Sequence, residues 1–263
     1  MPEARPSWPA LRSFMQQRCG VQLGEEQAYL MDARLKEVAS ALKFKSVDEY
    51  VLAAVRPGAE DGVTSPLIDA MTTHETSFFR DGAFWRTLAD EVIPRVHDGL
   101  SLRVWCAACS TGQEAWSLAM LLHERFPHLV DRTSIVATDV STGVLATARA
   151  GTYKVFEANR GLSAPRLLRF FERDEANFRV KPGLRSMVTF TPNNLVTQDP
   201  PGGQFDLVLV RNVLIYFNDE TRTQILQRVR SALRPRGAFA VGASELVPRR
   251  FGLPFAPGWY AGG

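Results

Sequence analysis

Apolar residues recur at steps of three and four near the start of the chain. Within EEQAYLMDARLKEVASALKF, residues Ala28, Met31, Leu35, Val38 and Leu42 fall on one helix face, inside a stretch from 10 to about 56 that reads as helical. Arg34, Lys36 and Lys43 lie largely off that stripe. Ser46 precedes VDEYVLAAV with Glu49 three residues on, which predicts a capping box. RPGAEDGVTSP, from Arg56 to Pro66, is rich in Gly, Pro and acid and reads as a linker.

Beyond it, short apolar runs alternate with helical patterns. Strands are predicted over Leu102–Cys106, Ser134–Asp139, Ser186–Phe190, Phe205–Val210 and Gly237–Ala243. Helices are predicted over about Gln113–Arg125, from near Ser141, and through ETRTQILQRVRSAL. This rhythm argues for an α/β fold with a mostly parallel sheet covered on both faces. Between about Tyr153 and Arg185 it is interrupted. Two extended stretches around Pro182-Gly183 predict a small antiparallel hairpin there.

The turn after the first predicted strand carries the clearest chemistry. In VWCAACSTGQEAWSLAM a strand ends, six small residues follow (Ala107–Gly112, including Ala108), and an amphipathic helix begins. Small side chains let backbone amides approach a ligand, and a helix N-terminus favours negative charge. The next strand ends in Asp139, where an acid commonly accepts hydrogen bonds from ribose hydroxyls. The loop lacks G-x-G-x-x-G, which disfavours a dinucleotide, and the same pattern also arises as simple packing. Glu114 at the helix start either stabilises the helix dipole or pairs with an ammonium group. A ligand carrying both ribose and an amine points to S-adenosylmethionine.

Composition narrows the classes. The 263 residues are 45% hydrophobic and 22% charged, enough for one sizeable core and a small satellite. A net charge of +3 without a Lys/Arg run gives no electrostatic footprint for nucleic acid. No apolar run reaches a membrane span, since FDLVLVRNVLIYF is interrupted by Arg211 and Asn212, so no direct membrane insertion is expected. The first residues lack a signal peptide's apolar core, and three cysteines fit a reducing compartment. The expectation is a cytoplasmic protein, and a monomer. Cys106 and Cys109 form C-x-x-C, but no second pair completes a zinc site and both fall inside the small-residue turn. His123 and His128, five apart around Pro127, are poorly spaced to share a metal, so no metal site is expected.

Several blocks, in order, resemble the chemotaxis receptor methyltransferases of the CheR type. They are MTTHETSFFRD, CAACSTGQEAWSLAM, ATD at Ala137–Asp139, RGLSAPRLLRFF, RNVLIYF and GASELV, with VQLGEEQAYLMDARL similar to the family's opening. The resemblance covers nearly the whole chain. It implies a Rossmann-like S-adenosylmethionine-dependent methyltransferase domain carrying a small antiparallel β-subdomain, preceded by a small all-α domain. The boundaries expected are 1–66 for the helical domain and linker, 67–263 for the catalytic domain, and about 153–190 for the β-subdomain.

By the same resemblance the protein methylates glutamate side chains on the cytoplasmic domain of a chemoreceptor and releases S-adenosylhomocysteine. Thr76 and Arg80 would border the cofactor's methionine end, Glu114 would hold its amino group and Asp139 its ribose. Asn194 and Leu195 would flank the adenine, and Arg211, Asn212 and Val213 would line the floor. Arg80 and Tyr216 would orient the acceptor carboxylate. The family usually has Asn where this chain has His74, whose ring can donate or accept a hydrogen bond as an amide does. The segment between Phe171 and Phe178 is short, in a region where the family docks a receptor tail peptide. In the family the N-terminal domain helps contact acidic receptor helices, which offers Arg34, Lys36 and Lys43 a docking role. A glutamate acceptor is already ionised at neutral pH, so no nucleophile–base pair is required.

Overall fold

The computed structural model describes residues 5–24, 28–97 and 99–262. Four helices open the chain: α1 (Trp8–Cys19), α2 (Ala28–Ala41), α3 (Val47–Val55) and α4 (Asp61–Met71). The Glu25–Gln27 part of the expected amphipathic helix lies outside the described residues. From Ala28 the stripe behaves as the spacing predicts: α2 buries Met31, Leu35 and Ala39 against Trp8, Leu11 and Met15 of α1 and against Tyr50 and Val51 of α3. At the start of α3 the Glu49 amide donates to Ser46 Oγ at 3.1 Å, and the Glu49 carboxylate accepts from the amide of Lys45 at 2.9 Å. The return bond thus lands one residue earlier than in a strict capping box.

The linker expected from Arg56 to Pro66 is mostly helix. Only residues 56–60 connect α3 to α4, and Pro66 sits inside α4. An interior proline costs about 3 kcal/mol. Burial of Leu67, Ile68 and Met71 just beyond it outweighs this, at about 1.5–3 kcal/mol each. Side chains also tie the pair together, Tyr50 Oη to the Val63 carbonyl and Thr64 Oγ1 to the Ala54 carbonyl, each at 3.0 Å.

A helical segment not anticipated from sequence follows: α5 (Gly82–Thr87) runs through a π-helical turn at Leu88–Val92 into α6 (Ile93–Val96). Then come β1 (Leu102–Ala107), α7 (Gln113–Arg125), β2 (Thr133–Asp139), α8 (Thr142–Ala150) and β3 (Thr152–Lys154). Next are α9 (Val155–Asn159), α10 (Ala164–Phe170), β4 (Phe171–Asp174), β5 (Asn177–Val180) and α11 (Pro182–Arg185). The chain closes with β6 (Val188–Pro192), β7 (Phe205–Leu209), α12 (Asp219–Ser231), β8 (Leu233–Ala240) and β9 (Trp259–Ala261).

Six strands form one sheet in the order β6-β2-β1-β7-β8-β9, parallel except for the antiparallel edge strand β9. Both faces are covered, which is why the strands read as unbroken apolar runs. In β1, Val104 and Cys106 join the apolar layer beneath α7 with Trp116 and Leu118. Trp105 and Ala107 point the other way, into the layer with Ile225, Leu226 and Val229 of α12. The small sheet has the order β3-β5-β4. The fold is Rossmann-like α/β with a helical N-terminal region and a small antiparallel sheet.

The hairpin expected around Pro182-Gly183 is not formed. Pro182 opens the helical turn α11, which buries Leu184, and the flanking strands belong to different sheets. β5 pairs with β4 across Glu175-Ala176, while β6 joins β2 at the edge of the large sheet. Glu175 has φ 53 in that turn, a conformation its residue type does not advertise.

Arg34, off the apolar stripe, does not simply face solvent. Its Nη1 donates to the carbonyls of Ala70 and Thr72, at 3.1 and 3.3 Å, at the end of α4. Lys36 instead pairs with Asp32 one turn earlier and is 62% exposed. Arg34→Ala should therefore lower unfolding stability by about 1–2 kcal/mol, because charge-assisted bonds to carbonyls are lost. Lys36→Ala should change it by less than about 0.5 kcal/mol. Urea titrations of the two variants check this, and equal effects would return Arg34 to the solvated face.

Candidate active site

Strand order sets where a ligand can sit. β1 is followed through α7 by β2 on one side, while β7 lies on its other side. The loops leaving β1 and β7 therefore diverge and open a crevice at the carboxyl edge of the sheet. One cavity occupies that crevice, and every residue assigned from sequence to the cofactor or the acceptor lines it.

From the loop after β1 come Ala108 and, at the start of α7, Glu114. The loop passes through left-handed residues at Ala108 (φ 56), Ser110 (φ 51) and Gly112 (φ 92), and its amides bond internally, Cys109 to the Thr138 carbonyl at 2.8 Å and Gly112 to the Cys109 carbonyl at 3.0 Å. A Cβ on Gly112 would meet Ala148 at 2.9 Å and the Phe190 ring at 3.2 Å, so only glycine fits both the angle and the space. Behind the loop, Tyr153 of β3 donates from Oη to the Thr111 carbonyl at 2.6 Å. The small sheet thereby buttresses the turn.

Asp139 ends β2 and is 7% exposed. Its carboxylate accepts from the Ser110 amide at 2.8 Å and the Ser141 amide at 3.0 Å. Burial raises its pKa above the usual carboxylate range, against the opposing effect of those amides. Asn194 and Leu195 follow β6. Asn194 Nδ2 donates to the Arg18 carbonyl at the end of α1 at 2.6 Å, and Arg228 of α12 donates to the Leu195 carbonyl at 2.8 Å.

His74, Thr76 and Arg80 stand on the segment between α4 and α5. His74 Nε2 donates to the Asp69 carbonyl at 2.9 Å, and the His74 carbonyl accepts from Ser110 Oγ at 2.8 Å. The imidazole thus performs a backbone-tethering task open to an amide. Phe78 anchors the segment, packed edge-on against Tyr153 and Phe171. The Arg80 guanidinium makes one long bond, 3.4 Å to the Glu75 carbonyl, and has no carboxylate partner among the described residues.

After β7, Arg211, Asn212 and Val213 form the floor, and Tyr216 sits on the 3-10 turn Leu214–Tyr216. The Arg211 side chain is 2% exposed, pairs with Glu114 at 2.7 Å and Asp81 at 2.8 Å, and lies 3.7 Å above the Phe84 ring. Glu114 is therefore partly engaged already: Oε2 accepts from Arg211, while Oε1 makes no hydrogen bond among the described residues. Burial raises the Glu114 pKa, Arg211 opposes the rise and Glu245 adds to it.

Sequence reasoning missed several contributors. Cys19 and Val21 at the end of α1, Met71 ending α4, and Thr72 and Thr73 after it also line the cavity, so the N-terminal helices wall it. Asn193 Oδ1 and Arg211 Nε are buried with no hydrogen-bond partner among the described residues. Glu245, inside the noted GASELV block, clasps the loop after β7. The signals were polar residues next to strand and helix ends, and nothing in one dimension shows what those ends face. Cys106 and Cys109 are free and buried, with thiol pKa values pushed well up by burial, which leaves them unreactive. Among the described residues no cluster of three or more His, Cys, Asp or Glu is arranged for a metal.

The family profile described as "CheR methyltransferase, SAM binding domain" matches residues 74–254, which takes in every residue assigned to the site from sequence. The chain belongs to the CheR methyltransferase family. It is similar to chemotaxis protein methyltransferase 1 of Pseudomonas aeruginosa, 38% identical over 94% of this chain and 92% of that one. It is also similar to chemotaxis protein methyltransferase Cher2 of Pseudomonas putida, 39% identical over 92% of this chain and 90% of that one. Among solved structures, glycopeptide N-methyltransferase MtfA complexed with S-adenosylmethionine covers 62% of this chain and 52% of its own, at 18% identity and a TM-score of 0.39. That distant likeness bears no weight on substrate.

S-adenosylmethionine is the cofactor of this CheR methyltransferase, and the cavity suits it. Two desolvated carboxylates, Glu114 and Asp139, face a space in which a cationic, hydroxyl-bearing ligand lowers their cost. Since burial raises both carboxyl pKa values in the free protein, a cationic ligand should bind with proton release at acid pH. Affinity should fall as pH drops through those raised values and level off above them. Calorimetry in buffers of different ionisation enthalpy checks this; proton uptake would contradict it.

Proposed function

We propose that the chain transfers methyl groups from S-adenosylmethionine to glutamate side chains of a chemoreceptor's cytoplasmic domain, giving glutamyl methyl esters and S-adenosylhomocysteine. The observation that carries this reading is Arg80, a guanidinium in the cavity wall with no carboxylate of its own among the described residues. A cation held in no ion pair among the described residues, though close enough to feel the Glu114 charge, suits an anionic acceptor. The names of the Pseudomonas relatives support the chemotaxis context. The receptor is the partner, and the enzyme acts on it as a cytoplasmic monomer. Among the described residues no helix is long and apolar enough to cross a membrane.

Bound S-adenosylmethionine supplies an electrophilic methyl carbon on a sulfonium. Around it, Glu114 would hold the amino group, with Arg211 keeping the Glu114 carboxylate aimed. Asp139 would take the ribose hydroxyls through the lone pairs its two amide bonds leave open. Asn194 and Leu195 would flank the adenine, with Asn193 beside them. Ala108, Thr76, His74, Asn212 and Val213 would close the wall and exclude water. Arg80 and Tyr216 would orient the acceptor carboxylate. Glutamate is ionised at neutral pH, so no side chain has to remove a proton. Pairing to the acceptor has to stay loose, because a tightly neutralised carboxylate is a weaker nucleophile. Arg80 on its single long tether suits that requirement.

With labelled S-adenosylmethionine and a receptor cytoplasmic domain, the label should be lost as methanol in mild alkali. Alkali-stable label would indicate N-methylation and overturn the glutamate reading. Arg80→Ala should cut turnover by ~10–100-fold through loss of acceptor orientation, with the unfolding midpoint nearly unchanged. Unchanged turnover in the folded variant would remove Arg80 from the reaction.

A further inference from the structure

Glu245 is 7% exposed and is paired with no cation among the described salt bridges. Its charge meets backbone instead. Oε2 accepts from the amides of Asn212, at 2.8 Å, and Gly242, while Oε1 accepts from the amide of Leu214 at 2.6 Å. One carboxylate from the loop after β8 thus fixes the loop after β7.

The residues it fixes are those least able to hold themselves. Asn212 is left-handed, at φ 59. Val213 precedes the 3-10 turn Leu214–Tyr216 and gives it no side-chain cap. The Leu214 amide is the first of that turn, so Glu245 caps it from another loop. The two loops touch so closely that a Cβ on Gly242 would lie 2.7 Å from Asn212 Nδ2 and 2.8 Å from the Glu245 carboxylate. Tyr216 ends the capped turn and lines the cavity, so its place depends on a carboxylate that does not itself line it.

We infer that Glu245 is a positioning residue for methyl transfer, acting through the 212–214 backbone to set Tyr216. The inference rests on the reading that Tyr216 orients the acceptor. Glu245→Gln keeps shape but removes the charge and turns one acceptor oxygen into an NH2 group facing an amide donor.

The test is a cycle of Glu245→Gln, Tyr216→Phe and the double variant in the full chain. Turnover with a receptor domain is measured alongside calorimetric affinity for S-adenosylhomocysteine. A positioning role predicts that each single variant loses about tenfold or more in kcat. The double variant should be no slower than the worse single one within about twofold, with acceptor KM little changed. Losses that multiply, or a folded Glu245→Gln with parental kcat, overturn the inference. A parental Tyr216→Phe beside a slow Glu245→Gln instead overturns the Tyr216 reading, and the route through it. Should Glu245→Gln fail to fold, Glu245→Asp, which keeps the charge but shortens the reach, takes its place in the same cycle.

Discussion

The ion pair between Arg211 and Glu114 bridges the crevice on which the site depends. Arg211 enters from the loop after β7 and Glu114 from the first turn of α7, the two elements that diverge where strand order reverses. Removing such a charge from water costs several kcal/mol unless it is matched. Here two carboxylates and the face of Phe84 match it. The pair fixes the distance between the two loops, and it keeps one Glu114 oxygen occupied and the other unbonded among the described residues. The raised pKa of Glu114 shows that burial outweighs this compensation in the free protein. A cationic ligand completes the balance.

Backbone strain gathers around the same crevice. Of eight non-glycine residues with positive φ among the described residues, five stand in or beside its wall: Phe79, Asp81, Ala108, Ser110 and Asn212. Each such conformation costs of order 1–3 kcal/mol and persists only where neighbours over-determine it. The neighbours can be named. Ser110 is held by Asp139, Phe79 by Ser117 Oγ, Asp81 by Arg211 and Asn212 by Glu245. The cavity is thus shaped before a ligand arrives, and less conformational freedom is lost on binding.

The helical N-terminal region does more than precede the sheet. Arg18 accepts from Asn194, Asp69 accepts from the Gly143 amide at the start of α8, and His74 ties the end of α4 to the β1 loop. These contacts make the wall of the cavity a joint product of both regions. His74 serves as a tether, its Nε2 on the Asp69 carbonyl and its own carbonyl on Ser110 Oγ.

Much of this was legible in one dimension. Periodicity places α7 from Gln113 to Arg125 as observed, and the run of small residues ahead of it marks the turn whose Ala108, Cys109 and Ser110 line the cavity. The motif blocks mark every residue assigned to the site from sequence except Asn194 and Leu195, which follow the third strand, and all of them reach one cavity. Local signals failed where burial overrode them: Pro66 is carried inside α4, and Pro182-Gly183 opens a helical turn instead of a hairpin. The partners of each site residue lie beyond any local pattern. That Arg211 meets Glu114 across 97 positions, that Glu245 holds Asn212 across 33, and that Arg34 caps α4 all follow from how the elements stack. The sequence by itself determined which chemistry is present and on which strand ends it stands, since side-chain type and period are local properties. Only the tertiary structure decided which charges are paired, which are left for a ligand and which backbone is strained, since desolvation and hydrogen-bond geometry arise only when distant segments pack.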